Sequence, residues 1–166
     1  MASKRIPQLL SASLLVPLLV HAAGQSKTGQ IQVSVTIVGE CNVITPQPLN
    51  FGVNLSAGFN SPATATAQIE VNCAANTPFT IALDQGQGTG ATVATRVMQS
   101  GAEKLNYGIF SDAAHNVVWG NTAGQTVSGI GTGVAQSIPV YGQIPVPTTA
   151  PKPGAYSDTV TATLTY

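Results

Sequence analysis

The sequence predicts an all-β antiparallel sandwich, and three observations predict it. Apolar residues recur at every second position in many short runs. Glycine- and proline-rich stretches separate those runs. Leucine, glutamate and lysine are scarce beside threonine, valine and glycine, and no stretch reads as a helix.

The elements follow in chain order. Lys4 and Arg5 form a short basic start, Leu9 to Val20 an apolar run, and Ala22, Ala23 and Gly24 a small-residue end. This is the layout of a cleavable secretory signal, and the run is too short to span a bilayer. Cleavage after Ala22 fits best and removes residues 1–22, and cleavage after Gly24 fits nearly as well. A strict alternation comes next: Ile31, Val33, Val35 and Ile37 are apolar, with Gln30, Gln32, Ser34 and Thr36 between them. That pattern predicts a strand with one buried face. It lies at the extreme N-terminus of the exported chain, where residues are disordered unless tied down. Its apolar face must be buried in its own domain or in a neighbour's.

Further runs alternate at Ile69, Val71 and Cys73, at Phe79, Ile81 and Leu83, and at Leu105, Tyr107 and Ile109. Ile138 and Val140 begin a run that reaches Ile144 through Gly142. Pro139 and Pro145 predict that this strand is an edge or is bulged. The last run is Val160, Ala162, Leu164 and Tyr166, with threonines between them. Ala91–Thr95 favours strand. Gly86, Gly88 and Gly90 read as a hairpin loop, and so do Gly129, Gly131 and Gly133. Trp119, the only tryptophan, reads as a core residue.

Without residues 1–22 the chain keeps four basic side chains, Lys27, Arg96, Lys104 and Lys152, against six acidic ones, a net charge of minus two. That argues against nucleic acid and against anionic lipid. Only 7% of residues are charged, far below the roughly 25% of ordinary soluble domains, so little keeps copies apart. Cys41 and Cys73 are the only cysteines. An even count in an exported chain reads as one disulfide. With only His115 to add, a metal site lacks ligands, and no cofactor motif stands out. His115 sits in Asp112–Asn116, a turn, where a solvated histidine is the simpler reading than a catalytic one. Six scattered acids make no catalytic motif, so no enzyme is expected. No C-terminal membrane anchor is visible.

Several segments in order resemble a known family. They are Thr28–Val33 ahead of Cys41, Leu49-Asn50-Phe51-Gly52, Ile69–Cys73 and Pro78–Asp84. Arg96-Val97-Met98, Leu105–Asp112 and Trp119-Gly120 follow, then Val140–Pro145 and Gly154–Val160. Together they resemble the spore coat U domain, the subunit type of archaic, Csu-like chaperone–usher pili. The resemblance implies an immunoglobulin-like sandwich lacking its final strand. A periplasmic chaperone fills the gap first, and the N-terminal strand of the next subunit replaces it at an outer-membrane usher. It implies a donor strand presenting Ile31, Val33, Val35 and Ile37, within a segment 23–38, and a sandwich domain over 39–166. It places the groove beside the C-terminal strand of Val160, Ala162, Leu164 and Tyr166. The implied product is a cell-surface adhesive pilus of identical or related subunits, serving attachment and biofilm formation. Other readings stay open at this point: a closed sandwich that uses residues 30–38 as its own first strand, a secreted monomeric module that binds carbohydrate or a surface, a tip adhesin, and a minor or adaptor subunit.

Overall fold

A computed structural model describes residues 26–44, 46–52 and 61–166. The expected export signal, residues 1–22, lies outside the described residues. The chain divides into two compact units, Met1–Thr36 and Ile37–Tyr166. In the first, residues 26–36 carry neither strand nor helix. The ladder expected over residues 30–38 is absent, and Ile31, Val33, Val35 and Ile37 are between 84 and 91% exposed.

The eight strands among the described residues all lie in the second unit: β1 (Cys41–Ile44), β2 (Ala63–Cys73), β3 (Pro78–Leu83), β4 (Arg96–Ser100), β5 (Glu103–Phe110), β6 (Val127–Ile130), β7 (Ala135–Ile144) and β8 (Ala162–Thr165). They form two antiparallel sheets, ordered β1-β2-β7-β5-β4 and β6-β3-β8. The result is an immunoglobulin-like sandwich with no helix among the described residues. Ile69 and Val71 of β2, Leu105, Tyr107 and Ile109 of β5, and Val140 and Ile144 of β7 fill the core from the larger sheet. Phe79, Ile81 and Leu83 of β3 meet them from the smaller one. These are the alternating positions of the sequence, as period-two geometry requires. Trp119 joins the layers: it is fully buried, and its Nε1 donates to the Ile81 carbonyl at 3.0 Å.

Cys41 and Cys73 face each other across β1 and β2 and are bonded. The bond fastens the first strand of the sandwich to its long central one, directly after residues 30–38.

Three local expectations need correction, and a fourth, the edge at β7, holds only around Pro139. β7 is a central strand, paired to β2 along its length and to β5 at Tyr141–Gln143. It tolerates Pro139 because the pairing to β5 ends at Tyr141, which leaves one neighbour at the proline. Ala91–Thr95 is a series of bends rather than a strand, with Thr92 and Thr95 bonded to each other. The glycines at 86, 88 and 90 lie in a crossover between sheets, from β3 to β4, not in a hairpin. Gly129 sits within β6, and Gly131 and Gly133 lie in another crossover, from β6 to β7.

Candidate functional site

Among the described residues β8 has β3 on one side and no strand on the other. Alongside it the sheets part around an apolar cleft of about 280 Å³. Val160 and Ala162 line it from the β8 side, with Leu83 of β3. Ala67, Ile69, Val140, Tyr107 and Ile109 line it from the larger sheet. The alternation of the last run holds here. Val160, Ala162 and Leu164 are half-buried against the core, and Thr159, Thr161, Thr163 and Thr165 are exposed. Val160 and Ala162 reach the cleft. Leu164 packs on the core further along, opposite Ile81. Tyr166 lies past the end of β8 and is 62% exposed.

The segment Pro46–Gly52 covers part of the opening. Gln47 N–H donates to the Gln68 carbonyl at 2.9 Å, and Leu49 and Phe51 pack over β7 at Gly142. A β-carbon there would meet Leu49 Cδ2 at 2.6 Å and Phe51 Cζ at 2.8 Å, so only glycine admits the segment. Phe51 then meets the Tyr107 ring edge-on, with centroids 6.4 Å apart.

One end of the cleft, at Tyr107, Ser157 and Asp158, is polar, and the hydrogen-bonded network of Arg96 and Asp84, which does not itself line the cleft, adjoins it. Arg96, the first residue of β4, is fully buried. Its guanidinium donates to the carbonyls of Asp84 (2.9 Å from Nε, 2.7 Å from Nη2), Val93 (3.1 Å), Trp119 (2.8 Å) and, at longer range, Leu83 (3.4 Å). Burial pulls the Arg96 pKa down, and Tyr107, Asp84 and Asp158 oppose that pull. Asp84 Oδ1 accepts from the N–H groups of Gly86 (2.9 Å) and Thr161 (2.9 Å). Burial raises the Asp84 pKa, but those bonds and the Arg96 charge outweigh it, and the carboxyl titrates below its ordinary range. Tyr107 donates its hydroxyl proton to Asp158 Oδ2 at 2.7 Å, and Asp158 Oδ1 accepts from Gln87 N–H and Thr159 N–H at 2.8 Å each. Burial, followed by the bond and the charge of Asp158, pushes the Tyr107 pKa well above the phenol range.

Sequence reasoning counted Arg96 only as a charge and as part of a family segment. Its signal was its place at the head of an apolar run, Arg96-Val97-Met98, in a chain with few charges.

His115 is not a freely solvated turn residue. Asp112 Oδ1 caps the turn, accepting from Val117 N–H at 2.7 Å, and His115 takes a left-handed φ of 57°. Its ring is half-buried, edge-on to Phe110 at 5.3 Å and to Tyr141 at 6.4 Å. It packs against aromatics there. Among the described residues no three His, Cys, Asp or Glu side chains group as metal ligands, and no helix is long and apolar enough to cross a membrane.

The Spore Coat Protein U domain model matches residues 27–163. The chain belongs to this family. It is 29% identical over 158 residues to Protein U of Myxococcus xanthus, covering 87% of this chain and 88% of that one. Among solved structures it is similar to the crystal structure of the CsuC–CsuE chaperone–tip adhesion subunit pre-assembly complex from archaic chaperone–usher Csu pili of Acinetobacter baumannii. There the TM-score is 0.55 and the identity 28% over 79% of this chain. The chain spans 40% of the length of that matched chain. A chaperone–tip adhesin complex of CFA/I fimbriae matches at 12% identity and a TM-score of 0.39, over 75% of this chain and 41% of that one.

Proposed function

We propose that this spore coat U domain protein is a structural subunit of a secreted adhesive pilus that polymerises by donor-strand complementation. The observation that carries the reading is the open apolar cleft beside the unpaired edge of β8. An apolar cleft flanked by unpaired backbone groups fits one more strand, bound by main-chain hydrogen bonds and alternate side chains. The chain carries the alternating segment for such a strand in Ile31, Val33, Val35 and Ile37, whose side chains are exposed. Similarity to a chaperone–tip adhesion subunit complex of Csu pili supports the same reading.

On this reading residues 1–22 are removed at export, 23–38 donate, and 39–166 form the accepting domain. A periplasmic chaperone holds the cleft first, and an outer-membrane usher then exchanges it for residues 30–38 of another copy or a related subunit. The fibre lies on the cell surface and serves attachment and biofilm formation. Burying four aliphatic side chains at ~1.5–3 kcal/mol each gives roughly 6–12 kcal/mol as an upper estimate. That is comparable to the ~5–15 kcal/mol that holds a whole domain together.

The test is the size of the chain exported with its secretion partners. The unchanged chain should yield a ladder of multimers. Val33→Asp places a carboxylate in the cleft, where an unpaired charge is costly, and should yield monomers. Mixed with unchanged chain, the Val33→Asp chain should still accept a neighbour's strand and cap short oligomers. Monomers from the unchanged chain, or full ladders from Val33→Asp, refute the donor role.

A further inference from the structure

We propose that the Tyr107–Asp158 hydrogen bond is a strut that holds the cleft open for an incoming strand, with Arg96 and Asp84 as its foundation. The proposal rests on the donor-strand reading above and deepens it: Tyr107 and Asp158 become positioning residues of the accepting cleft.

The path of the chain just before β8 carries the argument. Residues 157–161 run from one sheet to the other across the end of the cleft. Ser157 exchanges two backbone hydrogen bonds with Gln99 of β4, in the larger sheet, at 3.0 and 3.1 Å. Thr161 exchanges two with Asp84 at the end of β3, in the smaller sheet: its carbonyl accepts from Asp84 N–H at 3.0 Å, and its N–H donates to Asp84 Oδ1 at 2.9 Å. Between these anchors Val160 faces the cleft. The Tyr107 ring rises from β5 through the core, only 4% exposed, and its hydroxyl meets Asp158 at 2.7 Å. One rigid aromatic side chain therefore sets the spacing between the larger sheet and the end wall. The buried Arg96 guanidinium fixes the backbone of Asp84 and Trp119 beneath it.

An empty apolar cleft favours collapse, because closing it removes apolar surface from water. β8 resists this poorly, since it has a ladder on one side only. The strut supplies the resistance. Without it Val160 and its neighbours fall inward, the open form is depopulated, and apparent affinity drops by the fraction that remains competent. The loss enters the association rate, because a bound strand itself keeps the cleft open.

The test uses the exported chain carrying Val33→Asp, so that its own segment does not compete, and a fluorescent peptide of residues 25–38 as the probe. Association and dissociation are followed by stopped flow beside thermal melts. Adding Tyr107→Phe keeps the ring and removes the bond, and should slow association by about tenfold, the equivalent of one hydrogen bond to a charged group, with dissociation nearly unchanged. Asp158→Ala, which also frees the Gln87 and Thr159 N–H groups, should slow association at least as much. Asp158→Asn should restore the parent rate, because its amide donates to the tyrosine hydroxyl while its carbonyl accepts from Gln87 and Thr159. A merely structural role would lower the melting temperature without separating the two rates. Equal association for Tyr107→Phe and parent overturns the strut alone. So does equal association for Asp158→Ala and Asp158→Asn, and that contrast decides if Tyr107→Phe does not fold. A parent that ignores the peptide overturns the donor-strand reading, and the strut with it.

Discussion

Replacing Arg96 with leucine should destabilise the domain by about 2–4 kcal/mol. The magnitude comes from the groups the guanidinium serves. The Trp119 carbonyl is bonded at 2.8 Å in a fully buried site, and stranding it costs about 1–3 kcal/mol. The Asp84 and Val93 bonds, at 2.7–3.1 Å, lie in partly buried sites, where water recovers some of the loss. About 1 kcal/mol for the two together is reasonable. Relief of the buried charge works the other way and favours the lower part of that range. Leucine fills apolar volume but cannot donate. Lysine keeps the charge but lacks the planar fork that serves several carbonyls at once, so Arg96→Lys should recover only part of the loss. Urea denaturation followed by Trp119 fluorescence reads the change directly, and a thermal melt should show the midpoint lowered by roughly 10 °C. If Arg96→Leu unfolds within about 0.5 kcal/mol of the unchanged chain, as a surface substitution would, the carbonyls find other donors and the buried arginine does not organise this end of the sandwich.

Two further outcomes are expected. Intact mass after alkylation without reductant should show no labelled thiol on the exported chain, and reduction should lower stability by roughly 3–4 kcal/mol, the value of a loop of this length; two labelled cysteines would contradict the pairing. Tyr107, whose pKa is raised in the fold from the usual 10.0, holds its proton after the unfolded chain has lost it. Its contribution is therefore complete below pH 10 and is lost as pH rises further. An alkaline titration of stability should show this loss, and Tyr107→Phe should remove that part of the slope.

What was legible in the sequence was the part where local pattern and burial coincide. β3, β5 and β7 could be read because branched and aromatic residues alternate with polar ones over five or more positions. The second half of β2 was visible for the same reason. Its first half, Ala63–Gln68, buries only Ala65 and Ala67 inside a run of alanine and threonine, and so small an apolar contrast does not register. β1 and β6 have four residues each, and β4 five, too short for periodicity to speak. The glycines were read as hairpins because composition marks a turn without saying which strand the chain joins next. Here both connections cross between sheets.

The site divides the same way. Val160 and Ala162 were legible as the inward positions of the last run. The opposite wall, Ala67, Ile69, Tyr107 and Val140, is set by long-range pairing. Arg96 escaped notice because a buried arginine looks like any other charge until the carbonyls around it are known.

The way this chain treats its strand edges argues for a partner at one of them. An unpaired edge invites association, and proteins blunt it with charge, proline or a covering segment. The β4 edge is covered in part, since Gln99 pairs with Ser157. β1 is tied down by its disulfide and followed by Pro46 and Pro48. Among the described residues the other two edges, β6 and β8, have none of these protections, and the cleft lies along β8 only. The β8 residues, Ala162-Thr163-Leu164-Thr165, carry no charge and no proline, and the apolar cleft opens beside them. In a chain with only 7% charged residues, general repulsion does not make up for this. A bare, flat edge beside an apolar cleft is an aggregation hazard in a free monomer. It ceases to be one when a strand of fixed register fills it, and in the proposed assembly every copy supplies such a strand to the next.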